Sequence, residues 1–177
     1  MKALIVLTDG FEEIEAITPI DLLKRAGIEV VIAGLGKKEI CGSHGITIIA
    51  DEVFDKSNED FSALILPGGP GVQNLLKDDG VLEIVRKSYE KNKLCCAICA
   101  APKVFDAAGI LKDYKFTCFP SVKDEISSGI HCDDSFVKDA NIITSKAAGT
   151  SVDFAYAIIE SMTDESKAQA VIDKIYY

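Results

Sequence analysis

Uninterrupted apolar runs alternate along this chain with helical patterns, and that alternation constrains the fold more than any other feature. Four runs lack the polar alternation of a half-exposed strand and therefore predict strands buried on both faces: Ala3–Leu7, Val30–Ala33, Ala63–Leu66 and Leu94–Ile98. Repeated strand–helix units of this kind predict an α/β sandwich, with a mainly parallel sheet and helices on both faces. Functional sites in such folds lie beyond the carboxyl ends of the strands.

The helical patterns are regular enough to place. Apolar spacing predicts helices over 14–26, 81–89, 151–159 and 165–175, and short apolar runs predict two further strands at 46–49 and 142–144. Thr150 and Ser151 supply a cap for the third of these helices. Pro19 lies inside the first, where it cannot donate a helical hydrogen bond, so we expect a kink or a break there.

Length and charge limit the functions open to the chain. Its 177 residues contain nothing that looks like a linker, so we expect one domain over 1–177. A net charge of −9 argues against nucleic acid as a partner. We find no signal segment after Met1 and no apolar stretch of bilayer length, and therefore expect a cytoplasmic protein without a membrane partner, whose six cysteines are reduced thiols.

Cys99 is the strongest candidate for chemistry, because it ends the apolar run Leu94–Ile98 and stands just before a helical pattern that starts near Pro102. A side chain at such a corner has the free N–H groups of a helix beside it, and this environment lowers the pKa of a thiol. The alternative is a buried cysteine that only packs. Cys96 and Cys99 also spell C-x-x-C, but Cys96 lies inside the strand, which argues against a redox dithiol.

A glycine-rich loop should reach the same edge of the sheet, because Pro67–Gly71 follows a buried strand. The loop lacks the spacing of a dinucleotide fingerprint and the lysine of a P-loop, so a nucleotide cofactor is not expected. Gly68 and Gly69 would allow close approach of the backbone, and the N–H of Gly69 with that of Ala100 could form an oxyanion hole. The alternative is a glycine turn that serves only the topology.

Three acids open the first predicted helix, and they are not equivalent. Glu12 and Glu13 suit a solvated first turn, where carboxylates interact favourably with the helix dipole. Glu15 is flanked by apolar residues, and partial burial would raise its pKa and let it donate or shuttle a proton near neutral pH.

Five motifs together resemble the ThiJ/PfpI superfamily, and specifically its DJ-1 branch, in register over nearly the whole chain. They are Asp9-Gly-Phe-Glu-Glu-Ile-Glu-Ala16, Leu23-Lys-Arg-Ala-Gly27, Leu66-Pro-Gly-Gly69, Ala97-Ile-Cys-Ala-Ala-Pro102 and Ala148-Gly-Thr-Ser151. The resemblance implies a flavodoxin-like sandwich, of the class I glutamine amidotransferase type, that forms a homodimer. It also implies that Cys99 is the nucleophile and that Glu15 is a protonated acid bonded to its thiolate.

The chain departs from this family pattern at one position. Relatives carry a histidine before the proline of the segment that aligns with 116–120, and here that position is Phe119, preceded by Cys118. His44 and His131 lie in other segments, where surface or turn roles are expected rather than a replacement base. Protease-like members place a histidine directly after the nucleophile, whereas this chain has Ala100, so peptidase activity is not expected.

The activities that the resemblance implies need no cofactor and no metal. They are the conversion of methylglyoxal to lactate without glutathione, and the repair of adducts formed by small carbonyl compounds. The alternative is a redox sensor or stress protein that uses the same cysteine without turnover. We expect Cys99 and Glu15 to be catalytic, with Gly68, Gly69 and Ala100 lining the oxyanion or substrate site.

Overall fold

A computed structural model describes residues 1–177, and its strands fall into one large sheet and two small ones. In chain order they are β1 (Lys2–Leu7), β2 (Glu29–Gly34), β3 (Glu39–Cys41), β4 (Thr47–Ile49), β5 (Glu52–Val53), β6 (Ala63–Leu66), β7 (Leu94–Ile98), β8 (Lys115–Phe116), β9 (Ile130–His131), β10 (Phe136–Asp139) and β11 (Ile142–Ser145). The α-helices are α1 (Glu13–Arg25), α2 (Val72–Lys77), α3 (Asp79–Glu90), α4 (Pro102–Ala108), α5 (Ser151–Met162) and α6 (Glu165–Ile175).

The large sheet has seven strands in the order β10-β11-β7-β6-β1-β2-β5. All neighbouring pairs are parallel except β10 with β11. In the centre of the sheet, Leu4 lies opposite Val31 on one side and Leu64 on the other. β3 and β4 form a separate antiparallel hairpin, and β8 pairs with β9. The predicted α/β class with a mainly parallel sheet is confirmed.

Both faces of the sheet are covered, which explains why its strands are continuously apolar. Ala3, Ile5 and Leu7 of β1 face a core built with α1, α5 and α6. Leu4 and Val6 face a second core built with α2, α3 and α4. No helix is both long enough and apolar enough to cross a bilayer.

The structure differs from the sequence prediction mainly in short elements and at Pro19. α1 runs without a break through Pro19, because its buried face packs into the same core as α5, and that packing outweighs one missing helical hydrogen bond. α5 continues beyond 159 to Met162. α2, β3, β5, β8, β9 and β10 were not predicted, since elements of two to six residues are too short to show a period.

The carboxyl ends of four neighbouring strands, β11, β7, β6 and β1, bring four connections to one edge of the sheet. The loop after β1 contacts the loop after β6, because Glu12 donates from its N–H to the carbonyl of Gly68 at 3.0 Å. The turn after β7 contacts the end of β11, since the N–H of Cys99 donates to the carbonyl of Ser145 at 2.9 Å. The predicted convergence of the Cys99 corner and the glycine-rich loop at this edge is present, and the connections after β1 and β11 lie beside them.

Candidate active site

Cys99 stands on a strained turn between β7 and α4. Its φ is +63°, a conformation that residues with side chains rarely adopt. Two backbone hydrogen bonds hold it there: its N–H donates to Ser145, and its carbonyl accepts from the N–H of Phe119 at 2.8 Å. The side chain is half-buried. This is the strand-to-helix corner that the sequence predicted, and it directs the thiol to the carboxyl edge of the sheet.

Two backbone N–H groups face the sulfur of Cys99. They belong to Gly69 and Ala100, and both lie near enough to the sulfur to lower the pKa of the thiol. Neither donates to a backbone carbonyl, so both are free to stabilise negative charge on the sulfur or on an oxygen beside it. Gly69 has a φ of +92°, and a Cβ there would lie 2.5 Å from the carbonyl oxygen of Gly10. Only glycine therefore allows this approach.

Glu15 lies in the first turn of α1 and is 1% exposed. Its carboxyl group accepts from the N–H of Gly68 at 2.9 Å, and the Cys99 thiol and the Ala148 N–H lie beside it and favour its ionised form. A Cβ on Gly68 would lie 2.6 Å from Glu15 Oε2 and 2.7 Å from the Cβ of Cys99. Gly68 thus holds Glu15 against Cys99 with its N–H, which leaves Gly69 and Ala100 as the donors that face the sulfur.

The electrostatics of this pair differ from the expectation for Cys99. Burial, reinforced by the charge of Glu12, raises the pKa of Glu15 to about 7, in the expected direction. Burial also raises the pKa of the Cys99 thiol, to about 12, together with the negative charge of Glu15, while the N–H groups of Gly69 and Ala100 lower it. The expected lowering of the thiol pKa is therefore wrong, because burial of the sulfur and the charge of Glu15 outweigh the N–H groups that lower the pKa.

The consequence is a shared proton. Burial raises the pKa of both groups, and negative charge on either one disfavours ionisation of the other, so we expect Glu15 and Cys99 to titrate as a coupled pair. At neutral pH the carboxylate can take the proton of the thiol when the sulfur attacks. A carboxyl group with a pKa near the working pH is suited to accept a proton and to return it.

The segment around Phe119 lies beside the pair, as its alignment predicted. Its backbone bond to Cys99 fixes that proximity, and the Phe119 side chain is 41% exposed. Cys118 is fully buried in the core against α2, α3 and α4, whereas Cys99 packs against the core on the opposite sheet face. Cys118 therefore points away from Cys99, as alternation along an extended chain implies.

One group of ligand-type side chains lies nearby, formed by Glu12, Glu13 and His44 with ligand atoms within 4.8 Å of one another. Glu13 is buried rather than solvated, and it accepts from the His44 N–H at 2.6 Å, His44 Nδ1 at 2.9 Å and the Ser43 hydroxyl at 3.2 Å. Although burial raises the pKa of Glu13, these bonds hold it at about 2. Glu13 and His44 thus form a hydrogen-bonded clamp between α1 and the β3–β4 hairpin, in which both carboxyl oxygens of Glu13 are occupied.

The two histidines have the positions that the sequence predicted. His44 is exposed on the hairpin, and His131 packs edge-on against the ring of Phe116 with 5.5 Å between ring centres. Neither is among the groups that contact Glu15 or Cys99. Ala148 is the site residue that the residue-by-residue analysis missed: its N–H contacts Glu15, and the only sequence signal was the motif over 148–151.

Comparison with known proteins agrees with the observed fold. The sequence matches the DJ-1/PfpI family over residues 1–161. A protein from Pyrococcus horikoshii named as a deglycase is 36% identical over 149 residues, covering 82% of this chain and 90% of the relative. A solved structure described as Toxoplasma gondii DJ-1, oxidized, superposes with a TM-score of 0.94 at 28% identity, covering 99% of this chain and 98% of that one.

Some relatives are longer than this chain. Proteins named DJ-1 homolog B and DJ-1 homolog A of Arabidopsis thaliana are 36% and 38% identical over 94% of this chain. The chain spans only 39% and 44% of their respective lengths.

Proposed function

The chain belongs to the DJ-1/PfpI family, and we propose that it is a cysteine-dependent glyoxalase or deglycase that acts on small 2-oxoaldehydes or their adducts without glutathione or a cofactor. The observation that carries this proposal is the contact between Cys99 and a buried carboxyl group, Glu15, with two unpaired N–H groups at the sulfur. Archaeal relatives named as deglycases support the same class of activity.

The first step is addition of the thiol to the aldehyde carbon. An S–C bond forms, the electron pair of the C=O π bond moves to oxygen, and the thiol proton passes to the Glu15 carboxylate. The N–H groups of Gly69 and Ala100 face the sulfur and donate to the oxyanion that forms next to it. Glu15 then returns the proton to that oxygen, which gives a hemithioacetal.

The second step moves hydrogen within the bound substrate. The hydrogen on the former aldehyde carbon leaves as a proton to Glu15 and returns to the neighbouring carbon through an enediol. The hydroxyl proton of the first carbon passes to the oxygen of the second, so the first carbon is oxidised to a thioester and the second is reduced to an alcohol. Water then adds to the thioester, the C–S bond breaks, and the sulfur recovers its proton. The sum is substrate plus one water giving a 2-hydroxy acid, so neither an external oxidant nor a reductant is consumed.

This chain has Phe119 where relatives carry a histidine, and we expect this difference to lower the rate of the reaction without changing its type. Phe119 cannot accept a proton, so both transfers depend on Glu15 and water, and we expect slow turnover. Peptide hydrolysis is not proposed, because Ala100 follows the nucleophile where protease-like relatives carry a histidine.

The test is lactate formation from methylglyoxal by the purified protein without added thiol. We expect turnover in the wild type, loss in Cys99→Ser, and a fall of 100-fold or more in Glu15→Gln, the range that a positioned general acid or base contributes. Cys41→Ser is the matched control, since Cys41 is an exposed thiol with no carboxyl partner. Equal turnover in Cys99→Ser and the wild type would refute the proposal.

A redox-sensing role is the second candidate, and one observation favours it. The solved Toxoplasma gondii relative is described in an oxidized state. In this chain, the N–H groups of Gly69 and Ala100 and a protonated Glu15 could donate to the oxygens of a Cys99 sulfinate. Peptide mass spectrometry after graded peroxide separates the two candidates. Sulfinate on Cys99 in preference to Cys41, in a protein without turnover, would support the sensor.

The proposal also includes the assembly and location of the chain, which we expect to form a homodimer in the cytoplasm. Four isoleucines of α1 and the β3–β4 hairpin region are more than 40% exposed, which is unusual for apolar side chains on adjoining elements: Ile14, Ile17, Ile46 and Ile49. All six cysteines are free thiols. Sedimentation of Ile17→Lys tests this surface, and we expect a dimeric wild type and a monomeric variant.

A further inference from the structure

Glu12 closes a ring of three hydrogen bonds behind the reactive pair. Its N–H donates to the Gly68 carbonyl at 3.0 Å, the Gly68 N–H donates to Glu15 Oε2 at 2.9 Å, and the Glu15 N–H donates back to Glu12 Oε2 at 2.8 Å. We propose that Glu12 is a positioning residue, which holds the Glu15 carboxyl group against Cys99 through this ring. The inference rests on the proposed function for its catalytic meaning, but the ring can be tested without turnover.

Each bond of the ring restrains a different part of the site. The bond to Gly68 fixes the orientation of that peptide, so that its N–H points at the Glu15 carboxyl group. The bond from the Glu15 N–H to the Glu12 side chain caps α1 and fixes the backbone from which the Glu15 side chain extends. Serine, threonine, aspartate and asparagine are the preferred capping residues, so capping alone does not explain a glutamate at this position.

The charge of Glu12 gives this residue a second effect. Burial raises the pKa of Glu15, and the negative charge of Glu12 raises it further, because a second carboxylate nearby disfavours ionisation. The other groups that act on Glu15 are the thiol of Cys99 and the N–H groups of Gly68 and Ala148. All three favour ionised Glu15.

Glu12 has charged neighbours of its own. Glu13 and His44 face it from α1 and the β3–β4 hairpin, and they pair with each other at 2.9 Å. Their opposite charges largely offset each other at Glu12 when His44 is protonated. The hydrogen bond to Glu13 raises the pKa of His44 and favours that protonated state.

The experiment separates the charge of Glu12 from its hydrogen bond. Glu12→Gln keeps an acceptor oxygen for the Glu15 N–H and removes the charge. Glu12→Ala removes both. Asp164→Asn is the matched control, because Asp164 caps α6 in the same way, accepting from the Lys167 N–H at 2.8 Å, and lies on a different helix. Carbon-13 NMR of labelled glutamate carboxyl groups follows the Glu15 titration, with the signal assigned by its loss in Glu15→Gln. Alkylation of Cys99 by iodoacetamide is measured against pH in parallel.

We expect the Glu15 midpoint to fall by about half a pH unit or more in Glu12→Gln, the effect of one charge across a few ångströms of partly solvated protein. The lower step of the alkylation profile should move with it. In Glu12→Ala we expect the same shift and, in addition, a lower alkylation rate than in Glu12→Gln, because the ring is open. Asp164→Asn should leave the midpoint in place.

Equal alkylation rates in Glu12→Ala and Glu12→Gln would overturn the inference, because opening the ring would then have no effect on Cys99, and an equal Glu15 shift in Asp164→Asn would reveal a nonspecific charge effect. If Glu12→Ala does not fold, as judged by circular dichroism, Glu12→Met takes its place, since it keeps the length of the side chain but offers no oxygen to the Glu15 N–H. A lower alkylation rate in the variant without an acceptor, in a protein that converts no 2-oxoaldehyde, would support the ring and refute only the proposed enzymatic function.

Discussion

Gly68→Ala is the smallest change that should separate the two reacting groups. The added methyl group would lie 2.6 Å from Glu15 Oε2, 2.7 Å from the Cβ of Cys99 and 2.9 Å from the carbonyl oxygen of Ile98. A Cβ atom essentially never comes this close to a non-bonded heavy atom, so these neighbours or the backbone at position 68 must move. The carbonyl of Ile98 ends a central strand, and Cys99 is held by two backbone hydrogen bonds. Glu15 is therefore the group that we expect to be displaced.

The size of the effect follows from that displacement. Relieving a contact of 2.6 Å to an ordinary separation of 3.4 Å or more moves the carboxyl group by close to 1 Å. Misplacing a reacting group by that distance typically costs about 100-fold in rate. Overpacking of this kind also lowers the free energy of unfolding by roughly 1–3 kcal/mol. A protein of this size should then lose about 2–12 °C in melting temperature and remain folded at 25 °C.

Two measurements test the reasoning, and Gly149→Ala is the control. Gly149 lies at the same edge of the sheet, and a Cβ there would meet no atom within 4 Å. We expect kcat/KM for methylglyoxal to fall about 100-fold in Gly68→Ala and to stay near the wild-type value in Gly149→Ala. The rate of Cys99 alkylation at neutral pH should differ from the wild-type rate in Gly68→Ala and equal it in Gly149→Ala. Wild-type values of both quantities in a folded Gly68→Ala protein would show that Glu15 and Cys99 do not act as a pair.

Three further outcomes follow from the structure. Burial raises the pKa of Glu15 in the folded protein to about 7, so the wild type loses stability as the pH rises from about 4.5 to about 7. In urea unfolding, the free energy of unfolding of Glu15→Gln should therefore gain about 2–3 kcal/mol relative to the wild type between pH 5 and pH 8. A difference independent of pH would contradict the burial argument. Phe119→His should raise 2-oxoaldehyde turnover by up to about 100-fold, with the gain appearing as pH rises through about 6.5, and an unchanged pH–rate profile would mean that no base acts there. Non-reducing peptide mapping after peroxide should find no Cys99–Cys118 disulfide, since the two thiols pack against opposite faces of the sheet.

The large elements of the fold could be predicted because their patterns are long and consistent. The strand over Leu94–Ile98 and the helix over Glu165–Ile175 have the bounds that apolar spacing gives them. Pro19 is the instructive exception, because a local rule predicted a break and tertiary packing removed it. Short elements such as β3 and α2 depend on contacts with distant residues, which one sequence does not reveal.

The positions of the site residues could be predicted from the sequence more readily than their pKa values. The corner at Cys99 follows from one strand and one helix, and both are visible in the sequence. The raised pKa of its thiol depends on burial and on a carboxyl group 84 positions earlier in the chain, and only the fold supplies both. The prediction that Glu13 is solvated was wrong for the same reason. An acid in the first turn of a helix is typically exposed, but the hairpin over 42–46 covers this one.

Three locally unfavourable features meet at one point of an otherwise regular sheet. Cys99 has a positive φ, Glu15 is an acid buried at 1% exposure, and Gly68 leaves no room for a methyl group between them. Each costs stability, and the raised pKa of Glu15 alone lowers the free energy of unfolding by about 3 kcal/mol above pH 7. A chain selected only to fold would place an apolar side chain at position 15 and avoid that cost. The convergence of these costs on one thiol is therefore the strongest physical argument that the site performs chemistry rather than packing.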